Sequence, residues 1–374
     1  MGVIIKEVTN RSERKKFVNF QFELYKNNKY WVPPLKSDEV NDLSEDKNPA
    51  FEFCEAKLWL AYKDDKIVGR IAGIINRRYI EKWKNNYARF GWVDFIDDHE
   101  VSDALFETAE KWAKEKGTEF IHGPLGFTDF DPEGTLIEGF EEVSTLGAIY
   151  NYPYYPEHIE KLGYKKDTDW LEYQVFGIKD IPEKVSRIAN IVEKRQGLTI
   201  VKAKKAKDLL PYAHDIFHVL NAGFKDLYGF VELSPAQIDK YVKQYFSFIK
   251  PEYVPVILDR DGKVAAFGIT MPSLSRAFQK AKGSLFPFGF LHILRAMKNN
   301  KGLDLYLAAV RPDLQDKGLN ALFMHETNKL ILKYGIEFVE TNRELEGNEK
   351  VQAQWRHYDH RQHKRRRCYI KKMS

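Results

Sequence analysis

The sequence predicts an α+β protein of two tandem domains sharing one plan, each a central mixed, mostly antiparallel sheet flanked by helices. Three observations carry that expectation. The chain has 374 residues, 43% hydrophobic and 14% aromatic, which is enough apolar surface for two cores. Its two halves repeat one order of elements. They also differ in charge: residues 1–180 hold 25 Lys and Arg against 34 Asp and Glu, whereas residues 181–374 hold 34 against 20. An acidic half followed by a basic half predicts two domains with different electrostatic roles.

In the first half an amphipathic helix near Glu13–Lys26 precedes Leu58–Ile75, which reads as strand, polar turn, strand. Gly91–Ile96 then reads as a strand and Ala104–Lys116 as a helix ending at Gly117, the expected left-handed cap. The second half repeats this with a helix over Ala206–Tyr228, a hairpin over Val254–Thr270, a strand over Leu303–Val310 and a helix from Ala321 to Gly335. Ala-Leu-Phe recurs in both of the later helices, at 104–106 and 321–323, and supports internal duplication. The domains are drawn at 1–178 and 199–374, with a connecting helix over 179–198 opened by Ile181-Pro182.

Several classes are excluded. No apolar run reaches the ~18 residues of a membrane span, and the start has no signal-peptide pattern. A cytoplasmic protein is the expectation. Cys54 and Cys368 form no disulfide framework and no metal-ligand spacing, so no metal is expected.

The most informative stretch is Val310–Ala321, a glycine-bearing turn between a strand and a helix. Backbone N–H groups of a first helical turn lack intrahelical partners, and the helix dipole adds positive charge. Such a turn is predicted to hold a phosphate. Asp313 and Asp316 would repel that group if they faced it, and Arg311 and Lys317 would offset them. The aligned turn in the first half, Ile96–Asp103, has no glycine, no Lys or Arg, and four carboxylates at Asp97, Asp98, Glu100 and Asp103. It is predicted to be a degenerate copy.

The element order and this turn resemble the GNAT superfamily of acyl-CoA N-acyltransferases. The family's Gln/Arg-x-x-Gly-x-Gly/Ala signature is matched by Gln315-Asp-Lys-Gly318-Leu-Asn320, with Ala321 one place late, and its Val-x-Pro by Val310-Arg-Pro312. Asn348 resembles the asparagine that contacts pantetheine, heading a helix over Glu349–Tyr358. Ile159-Glu-Lys-Leu-Gly-Tyr164 resembles the end of the family's fourth helix in the first half, with Ile159 where many members have a general-acid tyrosine.

The whole chain thus resembles a bacterial-type tandem GNAT protein, and acetyl-CoA or another acyl-CoA is the implied co-substrate. The resemblance implies that Ala308, Ala309 and Val310 bond pantetheine and polarise the thioester carbonyl. Gln315, Lys317, Gly318, Leu319, Asn320 and Ala321 would hold pyrophosphate, with Asn348 on pantetheine. An amine attacks the thioester directly in this family, which calls for a base and an acid. Tyr358 is the candidate acid, with His357 its rival, and Glu340 or Asp304 the candidate base. The implied acceptor is a small-molecule or lipid-like amine.

Two rivals remain. One is an aminoacyl-tRNA-dependent transferase of the peptidoglycan cross-bridge type, which the phosphate turn disfavours. The other is a non-catalytic CoA-binding scaffold. Three further segments carry expectations. The tyrosines at 152, 154 and 155, following the glycine-rich stretch 123–140, would line a substrate entrance or pack a Pro-rigidified loop. Ser284–Met297, with Phe286, Phe288, Phe290, Leu291 and Leu294, would line an acyl-chain pocket, cover an interface or pack a core. The basic tail His360–Lys372 reads as a solvated edge strand in preference to a nucleic-acid patch, with contact to the acidic first domain as a second reading.

Overall fold

The computed structural model describes residues 2–245 and 249–373. The chain forms two compact units that interleave along the sequence. The first is Met1–Leu171, Ser275–Leu294 and His363–Ser374; the second is Glu172–Leu274 and Arg295–Gln362.

The elements of the N-terminal stretch are β1 (Ile4–Glu7), α1 (Arg11–Leu24), α2 (Lys36–Asp42), β2 (Cys54–Lys63), β3 (Lys66–Asn76), α3 (Arg77–Trp83), β4 (Tyr87–Phe95), α4 (His99–Glu115), β5 (Phe120–Gly123), β6 (Thr135–Glu138), α5 (Tyr154–Lys161) and β7 (Lys165–Phe176). There follow α6 (Glu183–Gln196), β8 (Thr199–Ile200), α7 (Ala213–Phe224), α8 (Pro235–Tyr245), β9 (Val256–Leu258), β10 (Val264–Pro272), α9 (Ser275–Ala281) and α10 (Gly289–Lys298). Last come β11 (Gly302–Val310), α11 (Asn320–Tyr334), β12 (Phe338–Glu340), β13 (Glu344–Leu345), α12 (Glu349–Gln352) and β14 (Asp359–Lys372).

In the first unit the strand order is β1-β2-β3-β4-β5-β14, with β6 paired to β14. In the second it is β8-β9-β10-β11-β12-β7, with β13 paired to β7. Both follow one rule: a hairpin, an antiparallel third strand, then a parallel neighbour (β4 with β5, β11 with β12). The strand beyond that neighbour comes from the opposite half of the sequence, antiparallel in each case. The duplication read from the sequence is therefore real at the level of topology.

Local chemistry explains the element ends. Asp64 and Asp65, at φ 50° and 60°, form the tight turn between β2 and β3. Asn10 caps α1 by accepting the Glu13 N–H at 3.0 Å. The helix expected over Ala206–Tyr228 divides into a 3-10 turn at Ala206–Tyr212 and α7, because Pro211 removes a donor. The stretch read as a connecting helix forms α6, whose Ala189 and Val192 lie in the second unit's core with Leu319, Leu322 and Phe323. The first unit's core gathers Phe90, Phe95, Leu105, Phe106 and Trp112 on one face, and Phe17, Leu60, Ile74 and Phe127 in a second cluster.

The reading of the basic tail as a solvated edge is corrected. β14 lies inside the first unit's sheet, with Lys364, Arg366, Cys368 and Tyr369 buried. Arg367 bonds Asp169 at 2.9 and 3.1 Å, and Lys371 bonds Glu110 at 2.9 Å. The cations meet the acidic half, as the second reading had it. In the insert over Ser284–Met297, Gly289 and Ile293 are buried, but Phe286, Phe288, Leu291 and Leu294 are exposed and not packed in a core. Among the described residues, no helix is long and apolar enough to cross a membrane.

Candidate active site

In the second unit β11 and β12 run parallel for three register pairs, Gly302 with Phe338, Leu303 with Val339 and Asp304 with Glu340. β12 then ends, while β11 continues to Val310 against β10. The register of β10 and β11 slips at Tyr306, which is an extra residue on β11. A bulge bends its strand and re-aims the following backbone. Asn342 Nδ2 donates to the Tyr306 carbonyl at 2.6 Å, so a side chain takes the acceptor that a continuing β12 would have paired.

The strand leads into the turn. Pro312–Leu314 forms a single 3-10 turn, and Asp316 and Gly318 take φ 59° and 83°. A Cβ at Gly318 would lie 3.1 Å from Val192 Cγ2 as well as being strained by that φ. α11 starts immediately afterwards, with no side-chain cap. Among the described residues no acceptor takes the N–H groups of Lys317, Gly318, Leu319 and Asn320. Converging main-chain donors at a helix start are an anion-binding arrangement. Gln196 Nε2 fixes the turn by donating to the Lys317 carbonyl at 3.0 Å. The Gln315 side chain folds back on the Val310 carbonyl at 3.3 Å.

The carboxylates in the turn are neutralised. Arg311 grips Asp313 at 2.7 and 3.1 Å and Asp259 at 2.8 Å, and its guanidinium holds the Asp313 carboxyl below the usual range. Lys350 bonds both oxygens of Asp316 at 2.9 and 3.0 Å. That bond ties the start of α12, and with it Asn348, to the turn. Lys317 is exposed and makes no ion pair among the described residues. Ala308 is exposed, Ala309 is buried beside Gly223 of α7, and Asn320 and Ala321 open α11.

The candidate bases Asp304 and Glu340 are register partners at the point where the strands part, and both are buried. Gln174 Nε2 donates to Glu340 Oε1 at 2.9 Å. The helix expected over Glu349–Tyr358 is shorter: α12 ends at Gln352, a 3-10 turn spans Ala353–His357, and Tyr358 follows it. Asn328 of α11 donates to the Tyr358 hydroxyl at 2.9 Å, and burial raises the phenol's pKa, which keeps its proton on. His357 is exposed. Glu344 was not foreseen. It is buried, accepts from Trp355 Nε1 at 2.8 Å, and burial pushes its carboxyl up to about 7.

In the first unit the same architecture is filled. β4 and β5 also part after three register pairs, ending at Arg89 and His122. There the chain itself enters the gap: Leu125 N–H donates to the Phe90 carbonyl at 2.8 Å, and the Leu125 carbonyl leaves no room for a Cβ on Gly91. Tyr154 Oη donates to the Phe95 carbonyl at 2.6 Å, and the Phe95 N–H donates to Tyr155 Oη at 3.1 Å. These hydroxyls hold the end of β4, and Tyr155 is buried, as the packed-loop reading expects. The start of α4 carries its own anion, since Asp98 accepts the Glu100 N–H at 3.0 Å and pairs with Lys63 at 2.7 Å. Among the described residues one group, His122, Asp167 and Cys368, has the spacing to hold a metal ion, which the absence of a ligand motif in the sequence did not lead one to expect.

No family model matches the chain. Protein YghO of Escherichia coli (strain K12) is 30% identical over 297 residues, covering 79% of this chain and 75% of that protein. The bacterial ceramide synthase of Caulobacter vibrioides (strain NA1000 / CB15N) is 26% identical over 295 residues, covering 78% and 75%. A tandem GNAT protein from the clavulanic acid biosynthesis pathway superposes with a TM-score of 0.55 at 11% identity, over 100% of this chain and 99% of that one.

Proposed function

The chain belongs to the family of Protein YghO and has the fold of a tandem GNAT protein, and from that premise we propose that it is an acyl-CoA-dependent N-acyltransferase with one active site, in its second unit. One observation carries the reading: a strand pair that parts beside a turn with free N–H donors in the second unit, and the same place filled by protein in the first. Lys317, Gly318, Leu319 and Asn320 would bind pyrophosphate through main-chain N–H groups, with the Lys317 ammonium adding charge. The bulged edge of β11, over Ala308–Val310, would receive pantetheine, with Asn348 alongside.

The acyl donor supplies an activated carbonyl; the chain supplies proton management. Asp304 or Glu340 takes a proton from the acceptor ammonium, directly or through one water. The amine nitrogen then bonds the acyl carbon as the carbon–sulfur bond breaks. Tyr358, held protonated by burial, gives its proton to the departing thiolate. Glu344, whose carboxyl burial pushes up to about 7, would be a further candidate base. The relative named a ceramide synthase supports a long-chain amine as the acceptor, acylated to an amide. The protein would act in the cytoplasm, where acyl-CoA is made.

Thiol release tests this. With acetyl- and long-chain acyl-CoA offered against short polyamines and long-chain amino alcohols, release is expected with the long-chain amine. Tyr358→Phe should lower kcat by about 100-fold. Coenzyme binding without thiol release across the panel would instead identify a non-catalytic binder.

A further inference from the structure

We propose that α9, α10 and the loop between them form a docking surface for an anionic lipid bilayer. The proposal rests on this surface alone and stands whatever the active site acylates. Phe286 and Phe288 at the loop tip are 78% and 69% exposed, and Leu291 and Leu294 on α10 are 50% and 54% exposed. Single exposed apolar residues are ordinary, but four large neighbours on one projection are not. Folding has already used the other side of α10, where Gly289 and Ile293 are buried.

The projection is held in place. Gln279 Nε2 donates to the carbonyls of Lys29 and Trp31 at 2.9 Å each, and Lys36 N–H donates to the Gly283 carbonyl at 3.0 Å. Ala277 and Ala281 are buried beneath. The aromatic tip is thus presented on a fixed base.

Charge selects the occupant. No Asp or Glu occurs between Asp261 and Asp304, while Arg276, Lys280, Lys282, Arg295 and Lys298 lie in that interval and are exposed. Helical spacing puts Arg295 and Lys298 on the same side of α10 as Leu291 and Leu294. Long cationic side chains over an apolar stripe suit an interfacial helix, with heads at lipid phosphates and rings in the acyl boundary. A second copy of the chain would bring this basic surface against itself, where like charges oppose association.

Co-sedimentation of the full chain with vesicles decides the matter. Vesicles of phosphatidylcholine with about 30 mol% phosphatidylglycerol should retain the protein more strongly than phosphatidylcholine alone. Phe286→Ser/Phe288→Ser should weaken that partitioning at least about tenfold, with an unchanged melting temperature because both rings are exposed. Lys280→Glu/Lys282→Glu should lose only the preference for the anionic lipid. Absence of binding at low salt, or a double Phe variant that sediments like the native chain, would overturn the proposal. So would a concentration-dependent dimer that the Phe variant dissolves in a protein with no affinity for vesicles.

Discussion

Glu344 is a buried carboxylic acid, and burial raises its proton affinity. Its pKa rises from 4.5 to about 7 because burial penalises the charged form, an effect that the hydrogen bond from Trp355 only partly offsets. For an acid whose folded pKa is raised, the cost of folding is absent below about 4.5, grows as pH rises, and is complete above about 7. Glu344→Gln should therefore gain stability over the native chain at pH 8, by up to about 3 kcal/mol, and gain none at pH 4. Urea unfolding at the two pH values measures it; an equal effect at both would deny the burial. No sequence signal marks this residue. It sits in Glu340-Thr-Asn-Arg-Glu344, a polar string that reads as solvated, and its apolar cover comes from Trp355. Tyr358 was legible as a candidate, but its partner Asn328, thirty positions away, was not.

Among the strands, β3 and β4 are locked by one buried ion pair. Arg70 Nε lies 2.7 Å from Asp94 Oδ2, both side chains are almost fully buried, and Tyr25 and Tyr155 donate to the same carboxylate. Asp94→Ala would leave the Arg70 charge buried without its counter-ion, so it should cost about 3–5 kcal/mol in chemical denaturation. Arg70→Met/Asp94→Leu, which removes both charges, should recover much of that; no recovery would mean that the tyrosine bonds dominate. Hairpins and helix ends were readable because their determinants are local: two adjacent aspartates in a turn, a glycine cap, an asparagine before a helix. β14 was not, because its pattern of cations imitates a wet edge. The acidic groups that let it enter a sheet, Asp169 and Glu110, are some 200 residues and more away. Splitting of the helix expected over Ala206–Tyr228 was foreseeable from Pro211 alone.

At the scale of the whole molecule, duplication and divergence act on the same feature. Both units end their parallel ladder after three pairs; in the second, no acceptor among the described residues takes the N–H groups at the start of α11, which we propose for a ligand. The other closes the gap with Leu125, Tyr154 and Tyr155 and answers its helix dipole with Asp98. The absent glycine and the four carboxylates at 97–103 announced the second of these closures in sequence; the first depends on a loop's path and did not show. Exchange of the final strands between halves was also hidden, since pairing partners are not encoded in the strands' own periodicity. Titration calorimetry with CoA tests the central claim most directly. One equivalent should bind per chain, and Gly318→Asp, which adds a strained Cβ and a negative charge at the turn, should abolish binding. Two equivalents per chain, or native affinity in Gly318→Asp, would contradict it.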